Sequence, residues 1–247
     1  MNVIDDLAAE QQEIDHMVAG LDDDAWQAPS GAAGWSIADV LLHLAQSEES
    51  VLLSTKGRSL ADALPDALVG ATSMDDMMDR WVASERAPGQ QVLERWRTAR
   101  AAAVAALRAA DPDVRLPWAA APLKPAALAT TRLAEHWAHA LDIAEGLRVP
   151  YPDTDRLRHI AWLAHRTLPY AFTIAGEEPH DVYCELTAPD GLTVWTFGDP
   201  ETDGRIEGSA GAFCRVGAQR ISPEDSGLST TGRYAEAALR VLRNYAA

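Results

Sequence analysis

Cysteine is scarce: the 247 residues include two, Cys184 and Cys214. They lack the paired Cys-x-x-Cys spacing of a structural zinc site. In a reducing compartment they read as free, half-buried apolar side chains rather than as a disulfide. Long apolar runs are missing as well. No stretch approaches the roughly 20 apolar residues that a membrane helix needs. The opening Met1-Asn-Val-Ile-Asp-Asp6 has neither the basic nor the apolar region of a signal peptide, so a cytoplasmic protein is expected. Positive charge is in short supply, with 21 Lys and Arg against 37 Asp and Glu and a net charge of −16. Such a surface repels nucleic-acid phosphates and anionic membranes. No nucleic acid and no membrane is therefore expected as a partner; a small-molecule substrate is expected, and the chain is expected to be a monomer or homodimer. There is no internal repeat and no low-complexity segment.

Hydrophobic residues make up 47% of the chain, enough for an ordinary core in one large domain or two smaller ones. The first two thirds reads as helix. Residues 2–20 carry Val3, Ile4, Leu7, Ile14, Met17 and Val18 at three- and four-residue steps. The Asp22-Asp23-Asp24 cluster and Pro29-Ser-Gly31 interrupt that pattern. Ser36 then caps a second helix, with Asp39 three residues on as a variant capping box, and Gly57 ends it. A loop with Pro65 and Gly70 follows. Residues 73–109 read as a third helix, kinked or broken at Pro88-Gly89. Pro112, Pro117 and Pro122 mark a long connection, and residues 125–146 form a fourth helix with Gly146 as its stop. Four long amphipathic helices make an antiparallel bundle the default packing for residues 1–150.

Beyond the Pro150-Tyr-Pro152 linker the pattern changes. Residues 154–175 read as one helix, and Val182–Thr187 and Leu192–Phe197 flank a Pro189-Asp190-Gly191 turn as a β-hairpin. Gly208 to Gln219 reads as a short helix. Residues 232–245 read as a terminal helix with Tyr234, Ala238, Leu239 and Leu242 on one side. Residues 151–247 are thus a linker helix and a small α+β domain, and the whole chain is α+β.

Chemistry concentrates in the run Arg132-Leu-Ala-Glu135-His136-Trp137-Ala-His139-Ala-Leu-Asp142. Glu135 and His139 stand four residues apart, which on a helix is roughly 40° in azimuth and one turn in height. Two such side chains can close on one divalent ion, and His43 on the second helix is the candidate third ligand. The alternative is that Arg132, Glu135, His139 and Asp142 form a polar stripe facing water, opposite Leu133, Trp137 and Leu141. His136 and His139, at i and i+3, offer a second way to chelate; otherwise His136 is an ordinary surface or outer-sphere histidine. Trp35 and Trp137 are candidates for pocket walls or for core. Gln46, near His43 on the same helix, either lines the pocket or is an exposed polar residue.

These residues carry a resemblance. Gly34-Trp35-Ser36-Ile-Ala-Asp39-Val-Leu-Leu-His43-Leu resembles the second-helix motif of DinB-like metal-binding bundles, most closely the branch that contains mycothiol-dependent maleylpyruvate isomerases. Arg132-x2-Glu135-x-Trp137-x-His139-Ala-x-Asp142 resembles a later motif of that branch. The resemblance implies His43, Glu135 and His139 as ligands of zinc and leaves His136 outside the set; the donor types also admit nickel or manganese. The C-terminal third is similar to the sterol-carrier-like α+β domain appended in this branch, which contributes an arginine to the active site. Arg220, in Phe213-Cys-Arg215-Val-Gly-Ala-Gln219-Arg220, is the implied counterpart, although the family usually shows Gly-Arg where this chain has Gln219-Arg220. Taken without the resemblance, Arg220 is a helix-terminal cation beside free carbonyls.

Three classes of function fit these residues. One is a metal- and thiol-dependent isomerase or transferase, using mycothiol or another low-molecular-weight thiol on a small electrophilic substrate. Another is a non-enzymatic, metal-dependent ligand-binding or regulatory module. The third is a metal hydrolase that uses no thiol.

Overall fold

The computed structural model describes residues 2–59, 70–118 and 121–244. They form two compact units that divide between Tyr151 and Pro152. The first unit is helical: α1 (Val3–Val18), α2 (Asp23–Gln27), α3 (Ile37–Thr55), α4 (Met74–Ser84), α5 (Gly89–Ala109) and α6 (Pro125–Leu147). The second holds α7 (Leu157–Arg166), α8 (Leu168–Ile174), β1 (Tyr183–Thr187), β2 (Val194–Phe197), β3 (Arg205–Ser209), α9 (Ala210–Gly217), β4 (Ser229–Thr231) and α10 (Ala235–Val241). The protein is α+β, and no described helix is long and apolar enough to cross a membrane. The loop expected around Pro65 lies outside the described residues.

Every helix of the first unit except α5 begins where a side chain or a proline relieves the free N–H groups of its first turn. Asn2 caps α1, accepting from the Ile4 N–H at 3.0 Å. At α3 the capping box is complete: the Asp39 N–H donates to Ser36 Oγ at 3.2 Å, and the Ser36 N–H donates to Asp39 Oδ2 at 3.0 Å. Arg86 then holds the same Asp39 carboxylate with two hydrogen bonds, at 2.9 and 3.1 Å. Pro125 opens α6, where the missing N–H costs nothing.

The four long helices α1, α3, α5 and α6 pack on one another, with α3 against both α5 and α6 and α1 against both α6 and α5. Every residue of α3 from Ile37 to Gln46 is buried, so this helix lies inside the unit rather than on its surface. Ile14, Val18, Trp26, Val40, Leu41, Leu44, Leu93, Trp96 and Ile143 make up the core around it. Polar bonds add direction to that packing. Asp15 on α1 accepts from Arg97 Nε at 2.9 Å and from Arg100, both on α5.

In the second unit the strand order is β2-β1-β3-β4. The β1–β2 hairpin is antiparallel, with Cys184 opposite Phe197 and Thr187 opposite Val194. Its turn is fixed by Asp190, whose side chain accepts from the Leu192 and Thr193 N–H groups at 2.9 and 2.8 Å. β1 and β3 are parallel, and β3 and β4 are antiparallel. Cys184, Leu186 and Ile206 face inward, and α9 packs on β1 and β3 with Phe213 and Cys214 buried. Both cysteines are buried free thiols.

Several sequence expectations are corrected. The Asp22-Asp23-Asp24 cluster starts a helix: Asp22 caps α2 by accepting from the Ala25 N–H at 2.9 Å. The helix expected over 73–109 is two helices, separated at Glu85–Pro88, and the one over 154–175 divides at Thr167, just before Pro169. Gly208 lies within strand β3 rather than starting the helix that follows, which runs Ala210–Gly217. The terminal helix is the short α10, and Tyr234 precedes it in a left-handed conformation at φ 70°. Gly146 does not stop α6. The left-handed residue is Arg148, at φ 57°. Gly146 is glycine because a Cβ there would stand 2.6 Å from the Pro29 carbonyl oxygen and 3.1 Å from Ser30 Cα.

Two outcomes follow from this packing. Gly146→Ala forces a methyl group against backbone and is expected to destabilise the helical unit by about 1–3 kcal/mol in urea unfolding; an unchanged midpoint would show that the loop yields. Asp15 supplies the second. Burial works to raise its carboxyl, but the bonds and charges of Arg97 and Arg100 outweigh that and hold it below the ordinary value of 3.8. A folded value below the unfolded one contributes stability above about 3.8 that is lost as pH falls through the folded value. Unfolding midpoints of Asp15→Asn, measured from about pH 5 down to about 2.5, should therefore fall less steeply than those of the wild type.

Candidate metal centre

α3 and α6 carry the three proposed ligands, and the helices bring them together. The donor atoms of His43, Glu135 and His139 all lie within 4.8 Å of one another. His43 Nε2 is 3.6 Å from Glu135 Oε2, and His139 Nε2 is 3.7 Å from the same oxygen. Both separations exceed a hydrogen bond. They suit two donors that share one ion, since ligands about 2.1 Å from a tetrahedral centre stand roughly 3.4 Å apart. The imidazole rings meet edge to face, with centroids 4.9 Å apart.

Neighbouring groups orient these ligands. His139 Nδ1 donates to Asp142 Oδ2 at 2.9 Å, one turn along α6, and Asp142 is buried. That bond fixes the tautomer and leaves the Nε2 lone pair pointed at the cluster. His43 Nδ1 is buried and has no hydrogen-bond partner. Trp35 lies against both rings, 5.1 Å from His43 and stacked 6.1 Å from His139, and its indole N–H is held by Asp79 of α4 at 2.8 Å. Glu135 is the open side of the cluster, with 27% of its side chain exposed against 9% for His43 and 13% for His139.

The electrostatics agree with a site that binds a cation. Burial pushes His43 below its ordinary value, so the ring is neutral and its lone pair free. Burial also works to raise Glu135. His43 and the nearby charge of Arg132 overcome it and hold the carboxyl below its usual range, so the residue is an anion. Two neutral imidazoles and one carboxylate are a donor set for zinc or a similar divalent ion, and the residues present fit such a group.

The other candidates fall elsewhere. Gly34 to His43 form the loop and first turns of α3; Arg132 and Asp142 are buried and Glu135 and His139 only partly exposed, so the four are not a stripe facing water. His136 is no surface residue. It is fully buried on another side of α6: Nδ1 donates to the Arg132 carbonyl at 2.8 Å, and Nε2 accepts from Trp96 Nε1 at 3.4 Å and lies 3.4 Å from Gln11 Nε2. Its nitrogens are committed there, and burial holds it well below the ordinary histidine value. Gln46 is buried too, donating to the Trp81 carbonyl and to Glu85, each at 3.2 Å. Trp137 belongs to the core and Trp35 to the pocket wall. Arg220 lies in the second unit just after α9. Its Nη1 donates to the Ala218 carbonyl at 2.7 Å, and with Arg240 and Ser222 it lines a cavity of about 400 Å³. Gln219 before it is left-handed, at φ 58°, a conformation that glycine adopts without strain.

One residue of the helical unit escapes a sequence reading. Glu48 on α3 is completely buried and pairs with Arg132 of α6, Nε to Oε1 at 3.0 Å. Nothing in Gln46-Ser-Glu48-Glu49-Ser50 separates it from a solvated helical glutamate. Removing it leaves a buried guanidinium unpaired. Glu48→Ala is expected to cost about 3–5 kcal/mol in urea unfolding; a loss below about 1 kcal/mol would mean that Arg132 finds water instead.

Together these features define an α+β protein whose helical unit gathers a His/Glu/His donor cluster between two long helices. The chain belongs to the mycothiol maleylpyruvate isomerase N-terminal domain family, whose sequence model matches residues 7–144, and so to the maleylpyruvate isomerase-like branch of the DinB-like proteins. Two uncharacterized proteins of Mycobacterium tuberculosis, from strains CDC 1551 / Oshkosh and ATCC 25618 / H37Rv, are each 34% identical over 245 residues, covering 98% of this chain and 94% of theirs. Among solved structures, mycothiol-dependent maleylpyruvate isomerase matches with a TM-score of 0.61 and 14% identity, covering 92% of this chain and 91% of that one. A histidine-to-alanine mutant of that enzyme matches with a TM-score of 0.62. At that identity the likeness is one of fold.

Proposed function

We propose that this chain binds one divalent metal ion, zinc before nickel or manganese, through His43, Glu135 and His139, and that it is a thiol-dependent isomerase or transferase of a small electrophilic substrate. The observation that carries the reading is the convergence of three donors with His139 already turned to its ligating tautomer by Asp142. Membership of a family named for a mycothiol-dependent isomerase supports the thiol, mycothiol itself or another of low molecular weight.

Held by His43, Glu135 and His139, a bound ion would supply a Lewis acid that favours a thiolate over the thiol at neutral pH. The chain does the rest. Asp142 holds the His139 ring, Trp35 covers one flank of both imidazoles, and the exposed edge of Glu135 leaves an approach from solvent. Arg132 keeps a fixed positive charge beside Glu135. In the second unit, Arg220 is the proposed group for substrate carboxylate or enolate charge, since its planar fork suits an oxyanion and it shares a cavity with Arg240.

Elemental analysis of the purified full-length chain tests the site. About one zinc per chain is expected, and none in the triple variant His43→Ala, Glu135→Ala, His139→Ala; undiminished metal in that variant rejects the ligand set. Mycothiol added to cobalt-loaded wild type should change the visible d–d bands. A metal-bound protein whose spectrum ignores the thiol would instead be a thiol-independent hydrolase or a binding module.

A further inference from the structure

Near the ligands, the four long helices meet at a second polar cluster. α1 contributes Gln11, α3 Glu48, α5 Trp96, and α6 both Arg132 and His136. None is more than 3% exposed. The Arg132 Nε–Glu48 Oε1 bond ties α3 directly to α6, and His136 Nδ1 stands 3.6 Å from the same Glu48 oxygen. Arg132 Nη2 and Glu48 Oε2 are buried without a hydrogen-bond partner. The ionic groups are therefore not there because every bond is satisfied. A buried pair of this kind is commonly no more stabilising than apolar residues of the same shape. What it supplies is direction: a guanidinium and a carboxylate meet well in few arrangements, whereas leucines tolerate sliding.

The position of the pair gives that direction a use. Glu48 follows His43 by five residues on α3, and Arg132 precedes Glu135 by three on α6. A metal site needs its donors held to within a few tenths of an ångström. We propose that Glu48 and Arg132 are positioning residues for the metal centre: their ion pair fixes α3 against α6 so that His43, Glu135 and His139 converge before any ion arrives. The inference rests on the metal reading above.

The test is the zinc dissociation constant of the full-length protein, measured by competition with a chromophoric chelator, together with the cobalt visible spectrum. Glu48→Leu combined with Arg132→Met removes both charges and leaves no buried ion unpaired. It should fold, keep a midpoint near that of the wild type, bind zinc about 10–100-fold more weakly, and show altered cobalt bands, which a change in stability alone would not produce. A folded double variant with wild-type affinity and spectrum overturns the proposal. Should the double variant not fold, Arg132→Lys decides: it keeps the buried charge without the planar fork, so weaker zinc binding supports the proposal and unchanged binding overturns it. If the wild-type chain binds no zinc in the same assay, the metal reading itself is what fails.

Discussion

A carboxylate and a guanidinium taken out of water are held at a steep desolvation cost, and in this protein they are held between the two helices that carry the His/Glu/His cluster. Much of the helical unit can be understood from that contact outward. α3 is buried all along its first half, so its polar residues Asp39, His43, Gln46 and Glu48 each need an answer from a neighbouring element. Arg86 answers Asp39, the peptide and side chain at the end of α4 answer Gln46, and Arg132 answers Glu48. The answers are incomplete: among the described residues His43 Nδ1, Gln46 Oε1 and Glu48 Oε2 are each buried without a hydrogen-bond partner. What distinguishes His43 is that its other nitrogen faces Glu135, 3.6 Å away, beside His139.

The sequence was informative wherever the determining interactions are local. Ser36 and Asp39 are three residues apart and do what a capping box does. Asp190 and Gly191 make the hairpin turn that their spacing implies, and Glu135 and His139 meet because one helical turn brings them together. His43 is more than ninety residues from Glu135, so its helical pattern makes it a candidate third ligand, but no local spacing brings it to the other two. Glu48 has no local mark at all, since burial is a property of the packed bundle. Gly146 misled for the same reason. A glycine at the end of a helical pattern usually stops the helix, but here the approach of the Pro29–Ser30 loop from outside the helix is what excludes a side chain. β3 was missed because its second half, Glu207-Gly208-Ser209, lacks β-branched residues and is held by pairing with β1 and β4 rather than by propensity.

The second unit carries a departure of its own. Gln219 stands in a left-handed conformation that glycine adopts freely and glutamine does not. The backbone turn just before Arg220 is therefore carried by a residue that is strained in that conformation, at a cost on the order of 1–3 kcal/mol.

The concealment of the two cysteines has a consequence for a member of a family named for mycothiol. Cys184 sits inside the sheet and Cys214 inside α9, and burial raises both thiols, that of Cys184 to about 12. Disulfide exchange proceeds through thiolates that can reach one another, and neither cysteine offers one at neutral pH. A soluble thiol in millimolar excess, or its oxidised dimer, therefore finds no sulfur on the folded chain with which to form a mixed disulfide. The protein is insulated from the redox state of a small-molecule thiol pool, and any response to such a thiol must arise by coordination or by non-covalent binding.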